Sequence, residues 1–103
     1  MKINTQLVVK DKDDIPIQFN GKTLTIGVAL SAILSMEKLN IPLVKATILS
    51  IEISKAVNGY EIDRADCQML IDNLEISKYF TAPIIPGRIA MHLEDLKDKA
   101  KEK

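Results

Sequence analysis

The chain has 103 residues, 47% hydrophobic and 27% charged, which fits one globular domain able to bury a core without disulfides or metal. It carries 14 basic and 14 acidic residues and so no formal net charge, which excludes a general electrostatic drive toward nucleic acid or an anionic membrane. The single cysteine, Cys67, excludes an intrachain disulfide and a cysteine-based zinc site.

The chain opens MKINTQLVV and then turns charged, without a basic-plus-apolar leader and cleavage site. Its longest apolar run, near Leu24 to Met36, falls short of the ~20 residues a membrane helix needs. A cytoplasmic location and no membrane partner are the expectations.

Residues Ile3 to Lys10 carry Leu7, Val8 and Val9 and have strand character. Asp11-Lys12-Asp13-Asp14 reads as a polar turn. Ile15, Ile17 and Phe19 then alternate with Pro16 and Gln18, the period-two pattern of a half-buried strand, and Pro16 restricts that strand to an edge. Asn20-Gly21 is a strong turn dipeptide. Residues 1–22 therefore read as a small β-hairpin or extended arm.

Residues 23–57 read as a central helical hairpin. Thr25 reads as the N-cap of the first helix. At helical spacing Ile26, Ala29, Leu30, Ile33 and Leu34 share one face, with Met36 on its flank and Gly27, Ser31, Ser35 and Lys38 opposite. The helix should stop near Lys38, because Pro42 pushes Ile41 out of the helical region. Pro42 can open a second helix to about Val57, with Asn58-Gly59 as its C-cap. That helix puts Leu43, Val44, Thr47, Ile48 and Ile51 on one side and Ala46, Leu49, Ile53 and Ala56 on another, with Lys45, Glu52 and Lys55 in a narrow charged strip. A helix apolar over most of its circumference is either the central helix of the domain or meets a partner on one side. The central reading is preferred.

Tyr60 to Ile62 is extended and could add a strand. Residues 63–101 read as a C-terminal helix pair. Asp63 starts the third helix, with Asp63-x-x-Asp66 resembling a capping box and Cys67, Leu70, Ile71 and Leu74 as its buried stripe. Ser77 to Pro86 reads as a loop, and Pro86 as the start of the last regular helix. Ile85, Ile89, Leu93, Leu96 and Ala100 line one face of that helix, and the closing KDKAKEK reads as a solvated, fraying tail.

Candidate chemistry fails at each place it could arise. Gly21-Lys22-Thr23 matches the end of a P-loop, but the earlier glycine is replaced by Pro16, which has no N–H for a phosphate. Asp11, Asp13 and Asp14 lack the glycine and glutamate of a calcium loop, whose places hold Pro16 and Lys22. His92 has Arg88 one turn before and Asp95 one turn after, the spacing of a positioned base, but also that of a charged surface helix. The last helix offers Arg88 and Lys97 among Glu94, Asp95 and Asp98, so phosphate meets as much repulsion as attraction. The segment Tyr79 to Gly87 holds two of the four aromatic residues. Tyr79 and Phe80 either close the core, the preferred reading, or anchor an interface.

The runs G-K-T-L-T-I-G-x-x-L-x-x-I-L (Gly21 to Leu34), Y-E-I-D-x-x-D-x-x-x-L (Tyr60 to Leu70) and F-T-A-P-I-I-P-G-R (Phe80 to Arg88), in this order, resemble a group of small proteins encoded by tailed bacteriophages and prophages. Pro86 departs from that pattern at the head of the last helix. The resemblance implies a phage or prophage origin, hence a bacterial host cell, and transfers no catalytic residue.

The expectations are then an α+β, mostly α single domain over residues 1–103, with a four-helix core and a small N-terminal β-hairpin. Its expected role is that of a non-enzymatic accessory protein that binds a phage or host protein or homo-oligomerises. The alternative is a small helical nucleic-acid-binding protein. No catalytic, cofactor or metal residue is assigned, and the candidate contacts are Ala46, Leu49, Ile53, Tyr79 and Phe80.

Overall fold

A computed structural model describes residues 1–101. In chain order its elements are β1 (Lys2–Ile3), β2 (Gln18–Phe19), β3 (Lys22–Thr23), α1 (Ile26–Met36), α2 (Leu43–Lys55), β4 (Tyr60–Glu61), α3 (Arg64–Ile76) and α4 (Ile84–Lys101). The fold is α+β and mostly α, four helices with a small N-terminal hairpin, as the sequence predicts.

α1 buries six of its 11 residues. Its first-turn amides, which have no intrahelical partner, are all satisfied from outside. Ile26 N–H donates to Leu7 O and Gly27 N–H to Thr5 O, both at 2.9 Å, and Val28 N–H donates to the Thr25 hydroxyl at 3.4 Å. Ile26, Ala29, Leu30, Ile33 and Leu34 are all buried. Gly27, expected on the outer side, is buried as well, because the Thr5 backbone crosses directly over it.

The N-terminal arm differs in detail from its reading. Asn20 and Gly21 take positive φ of 52° and 77°, the geometry of the tight turn whose twist matches a hairpin. They join β2 to β3 with Gln18 opposite Thr23, so the hairpin runs past residue 22. β1 leaves this hairpin and pairs antiparallel with β4, Lys2 opposite Glu61, so Tyr60–Glu61 does supply a strand. The strand expected from Ile3 to Lys10 is broken after Ile3 by a turn in which Leu7 N–H reaches back to Asn4 O. Beyond the turn only isolated bridges remain, Val8 with Thr25 and Lys10 with Pro16.

α2 is not the central helix. It packs on α1 through Leu49, Ser50 and Ile53, while α1 also meets α4. Small residues set the approach of α1 and α2: the Ser31 hydroxyl donates to Ser50 O at 3.0 Å and the Ser50 hydroxyl to Ser31 O at 3.3 Å. Pro42 is the capping residue, with extended ψ of 136°, and not the first helical one. α2 stops at Lys55, short of Val57, with Ala56 as its cap; Val57 and Asn58 form the turn into β4, followed by Gly59 at a positive φ of 95°.

α3 begins where the sequence places it. The Asp63 carboxylate accepts from Asp66 N–H at 2.7 Å, and Cys67, Leu70, Ile71 and Leu74 are buried against Ile85, Ile89 and Leu93 of α4 in one core. The Asp66 carboxylate does not complete a capping box but pairs with Lys45 of α2 at 2.7 Å. α4 starts at Ile84, two residues before Pro86. Pro86 is tolerated there because first-turn residues need no N–H for the helix ladder, and the bond from Gly87 N–H to Pro83 O spans it. The tail expected to fray is helical to Lys101, while Glu102 and Lys103 lie outside the described residues.

Candidate interaction surface

The geometry singles out the outer face of α2. Around this helix the buried side is Leu49, Ser50 and Ile53, with Ala46 half-buried. The side opposite carries Val44, Ile48 and Ile51, exposed by 70%, 50% and 48%, with Leu43 at 81% beside them. Spacings of four and three residues keep Val44, Ile48 and Ile51 in one row, the pattern of a helix-pairing seam. Lys55 continues that row at the C-terminal end, where it is exposed.

One edge of the row is fixed by polar contacts. The Lys45 ammonium holds Asp66, whose hydrogen bond and charge raise the lysine pKa. The Glu52 carboxylate accepts from the Tyr60 hydroxyl at 2.8 Å. Burial, followed by that contact with Glu52, pushes the Tyr60 phenol up to about 12. Beyond the N-terminal end of the row, Met36, Leu39 and Leu43 line an apolar cleft at the end of the α1–α2 hairpin where the loop joins the two helices.

The residues expected to make contacts are not those of this row. Leu49 and Ile53 are only 5% and 1% exposed. They and half-buried Ala46 pack into the chain's own core, so the apolar side of α2 left facing solvent is the one with Val44, Ile48 and Ile51. Its signal lay in the small residues: Ser50 and Ala46 mark the side that packs closely, as Ser31 does on α1. Tyr79 and Phe80 also go inward. The Phe80 ring meets Phe19 edge-on at 5.4 Å and Tyr79 at 4.9 Å, which is the core-closing arrangement. The loop that carries them is anchored by Glu37, whose carboxylate accepts from the Ser77 hydroxyl at 2.6 Å, Lys78 N–H at 2.7 Å and Tyr79 N–H at 3.3 Å.

The titratable groups around His92 go to separate partners. His92 Nε2 accepts from Asn4 N–H at 3.0 Å. The Arg88 guanidinium turns to Lys10 O at 3.1 Å, Asp11 O at 2.6 Å and the Asp14 carboxylate at 3.2 Å. Asp95 pairs with Lys99 at 3.0 Å. Asp11 closes its own turn by accepting from Asp13 and Ile15 N–H at 2.8 and 3.0 Å, and these backbone bonds hold its carboxyl below the usual value. The Cys67 thiol, facing Leu93 O, is pushed up by burial, the opposite of what a reactive thiolate requires. Among the described residues, no group of three or more side chains is placed to hold a metal ion, no buried side-chain polar atom lacks a partner, and no helix is long and apolar enough to cross a membrane. In comparison with known proteins, the chain matches no family model, no curated protein and no solved structure.

Proposed function

We propose that this chain is a non-enzymatic interaction module that docks the outer face of α2 onto another polypeptide, as a small accessory protein of the kind tailed phages encode. The observation that supports the docking is the row Val44, Ile48 and Ile51 with adjoining Leu43, each about half exposed or more. Fully covering an aliphatic side chain of this size is worth about 1.5–3 kcal/mol, so several kcal/mol of contact energy stay available in the isolated chain. The phage origin, and with it the cytoplasm of a bacterial host, is supported by the motif resemblance. For nucleic acid, the two basic residues singled out on α4 already have intrachain partners: Arg88 at Asp14 and Lys97 at Gln68 and Glu94.

The test compares the wild-type chain with Ile48→Lys, by light scattering over a concentration range and by co-purification from the cells that produce it. The wild type is expected to be held in a complex, with itself or another chain, that the variant loses while its circular dichroism stays unchanged. Identical behaviour of both chains would overturn the proposal.

A further inference from the structure

Resting on that docking reading, we infer that the polypeptide covering α2 is a second copy of this chain, its α2 helix running antiparallel across a two-fold axis between Ile48 and Ile51. The only charge in the seam is Lys55, at its C-terminal end. A parallel pair would set Lys55 against its own copy with its ammonium desolvated. An antiparallel pair separates the two lysines by the length of the seam and lays each lysine stem over the Val44 of the other chain.

The flanks agree with that direction. On one edge of the seam stand Lys45 and Glu52, a full heptad apart. In antiparallel packing equivalent edges face each other with their order reversed, so Lys45 of each copy comes opposite Glu52 of the other. In parallel packing each edge meets the other kind of edge, which here offers Thr47 and Ser54 and no charge. Lys45 stays 44% exposed while it holds Asp66, and Glu52 is exposed beside Tyr60, so both remain accessible to a second partner.

The ends agree as well. Val57, 65% exposed just past the C-terminus of α2, is carried to the N-terminal end of the partner helix, where Met36 and Leu43 are 69% and 81% exposed beside the apolar cleft. The two-fold axis makes this contact twice. The covered face is one helix of 13 residues and the positions at its two ends, a small interface for a specific pair. The association is therefore weak, and copies exchange as the concentration changes.

Cross-linking of two variants, Val44→Cys and Lys55→Cys, reads the direction. Mixed together under mild oxidation, they are expected to give a disulfide-linked dimer several-fold faster than either variant alone. The wild type, whose Cys67 is buried, serves as the blank. Faster linkage within the Val44→Cys chain alone would overturn the antiparallel arrangement. A strictly monomeric wild type in sedimentation, with no linkage in the mixture, would overturn the second copy as occupant. That result leaves the docking reading standing if another chain is retained by the wild type and lost by Ile48→Lys. Loss of no chain by Ile48→Lys is the separate failure of the docking reading.

Discussion

The imidazole of His92 accepts, through Nε2, a hydrogen bond from the Asn4 amide at 3.0 Å, joining the N-terminal arm to α4. A nitrogen that accepts carries no proton, so the folded state holds this ring neutral with its proton on Nδ1. Burial lowers its pKa, opposed by Asp95 and reinforced by Lys99. The unfolded chain therefore takes up the proton at a higher pH than the folded one. The stabilisation is complete above the ordinary value of 6.5 and is lost as pH falls through it toward the lowered folded value. The melting temperature is expected to fall between about pH 7 and about pH 5. His92→Gln, which keeps an acceptor that does not titrate, should flatten that slope, and an unchanged slope would remove His92 as its source.

Gly27 is the second place where the arm is locked to the helices. A methyl group there would lie 2.9 Å from both the Cβ and the carbonyl oxygen of Thr5, and that carbonyl is held by the Gly27 amide. Alanine normally favours a helix by about 1 kcal/mol over glycine. Here the crossing backbone must move, and the Thr5 hydroxyl must release Ala56 O. Gly27→Ala is expected to destabilise by about 1–3 kcal/mol net, measured by urea unfolding.

Glu37 does for the loop at 77–80 what Thr5 does for the arm. Its carboxylate is the acceptor for the Ser77 hydroxyl and the Lys78 and Tyr79 amides. Glu37→Ala leaves these donors without it, at a cost of about 1–3 kcal/mol, and Glu37→Gln should fall between, since one oxygen remains. The Lys78 amide should lose protection from hydrogen exchange in the alanine variant while the α3 core amides do not. Uniform loss along the chain would mean that Glu37 supports the whole fold and not this loop.

Local chemistry in the sequence located much of this fold. Thr25 and Asp63 announced two helix starts because a cap needs only its own side chain and an amide three residues on. The stripes of α1 and α3 were legible because each of those helices has one apolar side. What the sequence left open were the choices made between distant segments. Nothing near Lys2 says that β1 will take Glu61 as its neighbour rather than the hairpin. Nothing within α2 alone says which of two apolar sides turns inward. That choice is made by Ser31, 19 positions from Ser50, where reciprocal hydroxyl-to-carbonyl bonds need small side chains on both helices. The expected contacts Ala46, Leu49 and Ile53 face the core for this reason, and the exposed row is the other apolar side of the helix.

The two sides of α2 can be told apart by one pair of substitutions. Ile53 is 1% exposed and Ile48 is 50% exposed on the same helix. Ile53→Ala opens a hole in the packed core and is expected to cost about 2–5 kcal/mol. Ile48→Ala removes a side chain already half in water, and in dilute solution it should change stability by no more than about 0.5 kcal/mol. Concentration then separates the monomer from its assembly. If copies pair through this face, the wild type gains stability as protein concentration rises, because only the folded chain binds. Ile48→Ala should lose that gain while Ile53→Ala, though weaker throughout, keeps it. A large cost for Ile48→Ala in dilute solution, with little for Ile53→Ala, would show that the two faces of the helix are assigned the wrong way round.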